Sequence, residues 1–269
     1  MLPNLGPDAI LAHATTLTEE DRPAFVHALA LARALGTRLA SVHANAFAQE
    51  GGEFPDPALL EGRWGPRKDG RATPHVTMAH TCCEDVVNTL LDALGRVGPA
   101  LVVAGSTQKK AFARLMSGST TEALAANLRC PLLVVPHGIP GLVRAEDGAI
   151  VLERICVPAG DAEATRLSVE TAEALVAALG LEAVPTTLLH VEDGTPAPGL
   201  DVDAPHLRLS TKSVKGSFAE AAAESAEGAS LVVMTTRGHD GLFDALVGSH
   251  TDRILRAVHA PVLVLPLHD

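Results

Sequence analysis

Short apolar runs alternate along the chain with longer segments that have one apolar face. The runs at 10–14 and 39–44 are unpatterned, as is typical of strands buried on both faces of a parallel sheet. Between them, residues 20–35 are rich in alanine and leucine and end at Gly36. Glycine just past the last helical turn adopts the left-handed conformation that closes many helices. The pattern therefore predicts strand, helix and strand in this order.

The same order returns in the second part of the chain. A short apolar run at 155–158 precedes a helical segment at 162–179 that ends at Gly180, and another run follows at 186–191. Third strands, each leading into a second helix, are predicted at 75–80 and 206–211. Each half reads β-α-β-β-α-β-α-β, which favours an α/β fold with helices on both faces of a parallel sheet.

A long internal repeat organises the sequence. Residues 101–136 align without a gap with residues 231–266, at an offset of 130, and this match indicates a duplicated domain. The predicted domains are 1–140 and 148–269, joined by a segment rich in glycine and proline. The first domain has extra residues at about 46–74, which we predict to be a surface excursion because of their Gly, Pro and charged composition.

Composition and charge narrow the classes of partner. The chain has 269 residues and a formal net charge of −11, which disfavours nucleic acid and anionic membranes because both are polyanions. Aromatic residues make up 3% of the chain, too few for a surface that stacks bases. A small anion in a local pocket remains compatible with this charge.

Cysteine usage and the N-terminal residues predict a reduced, cytoplasmic protein. Four cysteines are too few for a disulfide scaffold, and the adjacent Cys82 and Cys83 cannot join distant segments. Residues 1–17 lack the positive start of a secretory signal. No apolar run approaches the roughly 18 residues that would span a bilayer.

Each half carries a spaced glycine pattern after its fourth strand. The pattern is Gly105-x2-Gln108-x9-Gly118-Ser119 in the first half and Thr235-x2-Gly238-x9-Gly248-Ser249 in the second. Glycines let a backbone approach a phosphate, and N–H groups at a helix start attract it. The alternative is structural, since Ser119 and Glu122 fit a capping box and the glycines would then only supply the turn. The residues alone leave both interpretations open.

The two glycine patterns resemble the universal stress protein family in its tandem-domain form. The family signature is G-x2-G-x9-G-[S/T] followed by a helix, and each copy here closes with a proline, four apolar residues and a proline. The resemblance covers nearly the whole chain. It implies two domains that are each an open, five-stranded parallel sheet of the Rossmann-like, adenine nucleotide alpha hydrolase-like type. Many members bind ATP or a related adenine nucleotide.

The resemblance implies candidate nucleotide-binding positions in both halves. In the second half they are Asp161, Val191, Met234, Thr235, Gly238, Gly248, Ser249 and His250, and in the first half they are Gly105, Gly118, Ser119 and Thr120. Nucleotide-binding members have glycine where Thr235 stands and aspartate where Gly160 stands, one residue before Asp161. The first half departs further, with Gln108 at the middle glycine and Thr15 at the aspartate position. The second half is therefore the better predicted site.

The leading hypothesis is a cytoplasmic universal stress protein that acts by binding and regulation. It would hold ATP, ADP or AMP, with or without Mg²⁺, chiefly in the second half. Any ATP hydrolysis would be slow and incidental, because the sequence offers no placed base. The alternative is a nucleotide-free adaptor or structural protein that acts through protein partners. An adenylate-transferring enzyme that uses the excursion, and a redox role for Cys82 and Cys83, are more distant alternatives.

The last strand of each domain predicts how the halves meet. The segments 131–136 and 261–266 are wholly apolar between their two prolines, and an exposed apolar edge promotes aggregation. In the resembled family this strand pairs with its copy across a two-fold axis. We therefore expect an intramolecular pseudo-dimer, and a further homodimer of two chains stays open.

Several polar residues receive structural interpretations. His43 and His190 stand at equivalent strand ends, where packing or a backbone hydrogen bond is favoured over a metal ligand. His75 and His206 begin the third strands and receive the same interpretation. Two charged pairs are interpreted as solvated helix faces: Asp21 with Arg22, and Glu170 with Glu173.

Overall fold

The strands and the first helix of each half form where the hydrophobic pattern predicts them. A computed structural model describes residues 5–45, 56–67, 69–81, 85–106, 124, 127–139, 141–192, 199–215, 228–237, 258 and 260–267. The first half contains β1 (Ile10–Ala14), a 3-10 turn (Glu19–Asp21), α1 (Arg22–Leu35), β2 (Arg38–Asn45), α2 (Pro57–Trp64), β3 (His75–Thr81), α3 (Val86–Val97), β4 (Leu101–Ser106) and β5 (Leu132–Pro136). The second half contains β6 (Ile155–Ala159), α4 (Ala162–Ala178), β7 (Val184–Val191), β8 (Leu207–Val214), β9 (Leu231–Arg237) and β10 (Val262–Leu267).

All ten described strands join one sheet, in the order β3-β2-β1-β4-β5-β10-β9-β6-β7-β8. Neighbouring strands are parallel within each half, and β5 and β10 are antiparallel. In that central pair Leu133 lies opposite Leu263, which is its own equivalent in the repeat. A two-fold pseudo-symmetry axis therefore passes through this pair. The expected pairing of the two apolar final strands is present.

The sheet is apolar on both faces, which explains why its strands show little alternation. Leu101 and Val103 of β4 belong to the buried cluster that contains Phe25 of α1. Val102, between them, belongs to the opposite cluster with Leu94 of α3. Burying one such leucine or phenylalanine contributes about 1.5–3 kcal/mol, so both helix layers hold the sheet through side chains of this kind.

Glycine closes the first helix of each half in the same way. Gly36 after α1 has φ 73°, and Gly180 after α4 has φ 66°. The next N–H group in each case, from Thr37 or Leu181, bonds back to a carbonyl five residues earlier, as in a Schellman motif. The two helix ends are thus equivalent at an offset of 144 residues, from 36 to 180.

The sheet register gives the same offset for the first strand of each half. Leu11 pairs with Leu101, the first residue of β4, and Ile155 pairs with Leu231, the first residue of β9. The offset is again 144, from 11 to 155. Residues 11–37 can therefore be compared position by position with the second half.

Most described residues of the predicted surface excursion are exposed, but its helix also packs against the core. Trp64, at the end of α2, is 8% exposed and lies in the same buried cluster as α1. Its indole N–H donates to the carbonyl oxygen of Ala145 at 2.9 Å. Arg33 of α1 donates to the carbonyl of Pro66 at 2.9 Å. The helix α2 therefore joins α1 to the segment that connects the halves.

Two glycines of the connecting segment lie directly on aromatic rings. A Cβ added to Gly148 would lie 2.5 Å from the Trp64 ring, and one added to Gly141 would lie 1.9 Å from Nε2 of His27. The segment is further shaped by an antiparallel bridge between Val143 and Ile150. Close packing of backbone on ring fixes the path of the chain from β5 to β6.

In the described ranges, no helix combines the length and the apolar character needed to cross a membrane.

We expect Gly148→Ala to lower the free energy of unfolding by about 3 kcal/mol, because the methyl group clashes with Trp64 and φ is 69°. Gly138→Ala is the matched control. Gly138 has φ 75° but open space around it, so that change should cost about 1 kcal/mol from backbone strain. Urea unfolding followed by circular dichroism and by the fluorescence of Trp64, the one tryptophan in the chain, measures both. Equal losses in the two variants would contradict the ring contact.

Candidate functional site

Four candidate positions of the second half meet at one edge of the sheet. Asp161 follows β6, Val191 closes β7, and Met234 and Thr235 lie in β9. The strand order β9-β6-β7 makes these three strands neighbours. The carboxyl ends of β6 and β9 also flank the point where the strand order reverses, which is where open α/β sheets bind ligands. The other four candidates, Gly238, Gly248, Ser249 and His250, lie outside the described residues.

Asp161 caps a helix at this edge. Its carboxylate accepts a hydrogen bond of 3.0 Å from the N–H of Ala164, in the first turn of α4. A carboxylate in this position also faces the positive end of the helix dipole. The residue is exposed to solvent.

Met234 and Thr235 differ in their surroundings. Met234 is 9% exposed and belongs to a buried apolar cluster, whereas Thr235 and Val191 are half-buried. Thr235 lies opposite Leu265, just as Gly105 lies opposite Val135 in the first half. The register therefore makes Thr235 the equivalent of Gly105, as the repeat predicts.

The described candidate position in the first half, Gly105, lies against a carboxylate. A Cβ added to Gly105 would lie 3.0 Å from Oδ1 of Asp21 and 3.5 Å from the Cβ of Ala24. Gly118, Ser119 and Thr120 lie outside the described residues, as does Gln108. The glycine that the resemblance assigns to a nucleotide therefore makes room here for a side chain of the same chain.

Asp21 is buried, so its interpretation as part of a solvated helix face is wrong. It is 9% exposed, and its Oδ2 accepts hydrogen bonds from the N–H and the hydroxyl of Thr16, both at 2.5 Å. A third bond comes from the hydroxyl of Thr15 at 3.2 Å. Arg22 is exposed, as predicted.

Sequence reasoning had one signal for the burial of Asp21. It stands three and four residues before Ala24 and Phe25, both buried, and these spacings place the three residues on one helix face.

The expectation that Glu173 lies on a solvated helix face is also wrong. Its carboxylate is 13% exposed and accepts hydrogen bonds from the N–H of His206 at 3.1 Å and from the His206 ring.

The register also changes one expected equivalence. At the offset of 144, Thr16 corresponds to Gly160 and Thr15 to Ala159, so the expected equivalence of Thr15 with Gly160 is wrong. Asp21 corresponds to Thr165, which is 1% exposed and donates its hydroxyl to the carbonyl of Asp161 at 2.6 Å. The two halves therefore carry a carboxylate and a neutral hydroxyl at the same buried place.

The strand-end histidines make the predicted backbone hydrogen bonds. Nδ1 of His43 donates to the carbonyl of Thr15 at 2.8 Å. The equivalent bond in the second half joins His190 to the carbonyl of Ala159 at 3.5 Å. Within the described part of the chain, no group of three or more His, Cys, Asp or Glu side chains is arranged to hold a metal ion.

Burial determines the ionisation of the interior histidines and cysteines. It lowers the pKa of His13 to about 4, although the nearby carboxylate of Asp21 acts in the opposite direction. It also lowers the pKa of His27 to about 4. Burial raises the pKa of Cys130 and Cys156 to about 11, so these thiols are unreactive at neutral pH. The pair Cys82 and Cys83, the basis of the redox alternative, lies outside the described residues.

Comparison with known proteins gives the family. The model of the universal stress protein family matches residues 11–136 and again residues 157–266. The chain belongs to the universal stress protein family, in a form with two repeats.

Three solved structures share the whole fold. The chain aligns with a universal stress protein from Archaeoglobus fulgidus DSM 4304 with a TM-score of 0.64 and 17% identity, over 99% of both chains. It aligns with a functionally unknown protein from Pseudomonas aeruginosa PAO1 (TM-score 0.62, 13% identity) and with a putative universal stress protein from Pseudomonas aeruginosa UCBPP-PA14 (0.60, 14%). Both of these alignments cover 96% of this chain and 92% of the other. The alignments show a shared fold.

The buried histidines predict a loss of stability in acid. His27 has a pKa of about 4 in the folded chain and about 6.5 when unfolded. The unfolded state therefore binds more protons in this window, and stability falls as the pH drops from 6.5 towards 4, by up to about 3 kcal/mol for this residue.

Urea unfolding of the wild type and of His27→Asn at pH 7 and at pH 4.5 measures this contribution. The variant should be less stable at pH 7 but should lose less on acidification. His137→Asn, at an exposed histidine, is the control and should keep the wild-type pH dependence. An unchanged pH dependence in His27→Asn would contradict the assignment.

Proposed function

We propose that this protein is a binding and regulatory protein that holds an adenine nucleotide in its second half. The observation that carries the proposal is the combination of the glycine motif at 235–249 with a sheet edge formed by three neighbouring strands. Val191 and Thr235 lie on two of these strands, and Asp161 follows the third. The same edge has the neutral Thr165 where the first half has a buried carboxylate. A nucleotide polyphosphate is a polyanion, so the second half is the more favourable of the two.

Each class of residue at this edge suits one part of a nucleotide. The half-buried Val191 offers apolar surface to a base, and the carboxylate of Asp161 can accept hydrogen bonds from ribose hydroxyls or from an amino group. Glycines, such as those at 238 and 248, and serines, such as that at 249, are the residue types found where backbone N–H groups approach a phosphate. Mg²⁺ would accompany the nucleotide by binding its phosphates.

The proposed role is regulation and not turnover. A nucleotide changes the behaviour of a protein only if it binds two conformations with different affinity. The proposed phosphate contacts at 238, 248 and 249 precede β10 along the chain, and we propose that binding there affects the central β5–β10 pair. We propose that nucleotide level in the cytoplasm sets the choice of a protein partner in this way.

A nucleotide-free adaptor is the second candidate, and Thr235 favours it. Glycine at this position admits close approach of a ligand to the backbone, whereas Thr235 adds a half-buried side chain. The adaptor would act through protein partners alone.

Removing the Thr235 side chain tests both candidates. Thr235→Gly should strengthen ATP binding about tenfold, which corresponds to 1.4 kcal/mol, because the backbone becomes accessible. Gly248→Val should weaken binding at least tenfold, since a branched side chain replaces the glycine of the motif. Gly199→Val is the control for the second change, because Gly199 is exposed with open space around it.

The measurement combines two readouts. Mass spectrometry of small molecules released from the denatured wild-type protein should find close to one adenine nucleotide per chain. Isothermal titration with ATP and Mg²⁺ then ranks the three variants. No released nucleotide, together with no binding by the wild type or by Thr235→Gly, would overturn the proposal in favour of the adaptor.

A further inference from the structure

The carboxylate of Asp21 lies in the first half at the edge of the sheet where the carboxyl ends of the parallel strands meet. We call this edge the ligand edge of each half. The strand order β2-β1-β4 reverses between β1 and β4, which defines the usual ligand position of an open parallel sheet. Asp21 contacts residues at the ends of both strands that flank this position. Its Oδ2 bonds to Thr16, just after β1, and its Oδ1 faces Gly105, near the end of β4.

Asp21 already receives the hydrogen bonds that an incoming anion would need. One backbone N–H and one hydroxyl, both from Thr16, and the hydroxyl of Thr15 donate to the same oxygen. These donors follow the last residue of β1, at the carboxyl ends of the strands where open parallel sheets bind ligands. The carboxylate therefore acts as an anion supplied by the chain itself.

Gly105 has a structural reason to be glycine in this half. A methyl group there would lie 3.0 Å from Oδ1 of Asp21, which is closer than ordinary contact. The second half has Thr235 at this position and Thr165 in place of Asp21, so the pair changes together. A glycine at position 105 is therefore not evidence of a ligand, although the motif alone points to one.

We infer that Asp21 is the specificity-determining residue that closes the first half to phosphate-bearing ligands and leaves the second half as the binding half. It fills the space above Gly105, occupies the donors and places a negative charge where a phosphate would come. The inference takes only the class of ligand from the proposed function. It adds that the two halves of one chain differ in ligand because of one buried side chain.

The test counts the nucleotides bound by the full-length chain. Asp21→Ser removes both the bulk and the charge, and Asp21→Thr installs the residue that the second half has at the equivalent position. Glu20→Ser is the matched control, because Glu20 is the neighbouring acid in the same turn and is exposed. Equilibrium dialysis with radiolabelled ATP and Mg²⁺ gives the number bound per chain, and the amide resonance of Gly105 reports binding in the first half.

The expected result is one more ATP per chain in the Asp21 variants than in the wild type and in Glu20→Ser. The Gly105 amide should shift with ATP only in the Asp21 variants. A gain from zero to one would support the closure of the first half by Asp21 while contradicting the proposed binding by the second half, and a gain from one to two would support both. If circular dichroism shows that Asp21→Ser is unfolded, Asp21→Thr decides, since helix α4 accommodates threonine at this place.

Two results would overturn the inference. One is an ATP count in the folded Asp21 variants equal to that of the wild type. The other is a shift of the Gly105 amide in the wild type on addition of ATP, because the first half would then bind nucleotide with Asp21 in place. The second result can be read from the wild type alone, so the test does not depend on the folding of any variant.

Discussion

The antiparallel pairing of β5 with β10 is the interaction on which the rest of the structure depends. Both strands are apolar and largely buried, so neither could stand at an open edge of a separate domain without exposing its backbone and side chains. Their pairing places Leu133 opposite Leu263 and joins two parallel sheets into one. The outer edges of the sheet are then β3 and β8, whose side chains are largely exposed. Each half thus covers the apolar final strand of the other.

Much of this architecture could be predicted from the sequence, because repeating patterns carry it. Apolar runs predicted the strands, and the glycines at 36 and 180 predicted the ends of two helices. The internal repeat predicted that the final strands, β5 and β10, pair with each other. Asp21 and Trp64 could not be placed in this way. A charged side chain is stable in the interior when tertiary partners such as Thr16 bond to it, and those partners are known only once the loop is folded. Trp64 is buried by a connecting segment about 80 residues away, which no local pattern encodes.

The pseudo-symmetry is kept in the scaffold and broken at the ligand edges. His43 and His190 make the same backbone hydrogen bond in their two halves, and the same glycine closes both first helices. At the ligand edges, by contrast, Asp21 and Gly105 of one half stand where Thr165 and Thr235 stand in the other. The first half also has α2 and Trp64 packed on the connecting segment. Among the described residues, these differences thus lie at the proposed ligand edges and at the connection between the halves, and the shared features hold the sheet.

The covalent link between the halves has a consequence for how such differences arise. In a dimer of two identical chains, every substitution appears in both subunits, so a buried acid that closes one ligand edge closes the other as well. Here the two copies are separate stretches of one gene. A single codon change at position 21 or at position 165 alters one edge and leaves the opposite one intact, so each half is free to accumulate its own changes around a jointly maintained centre.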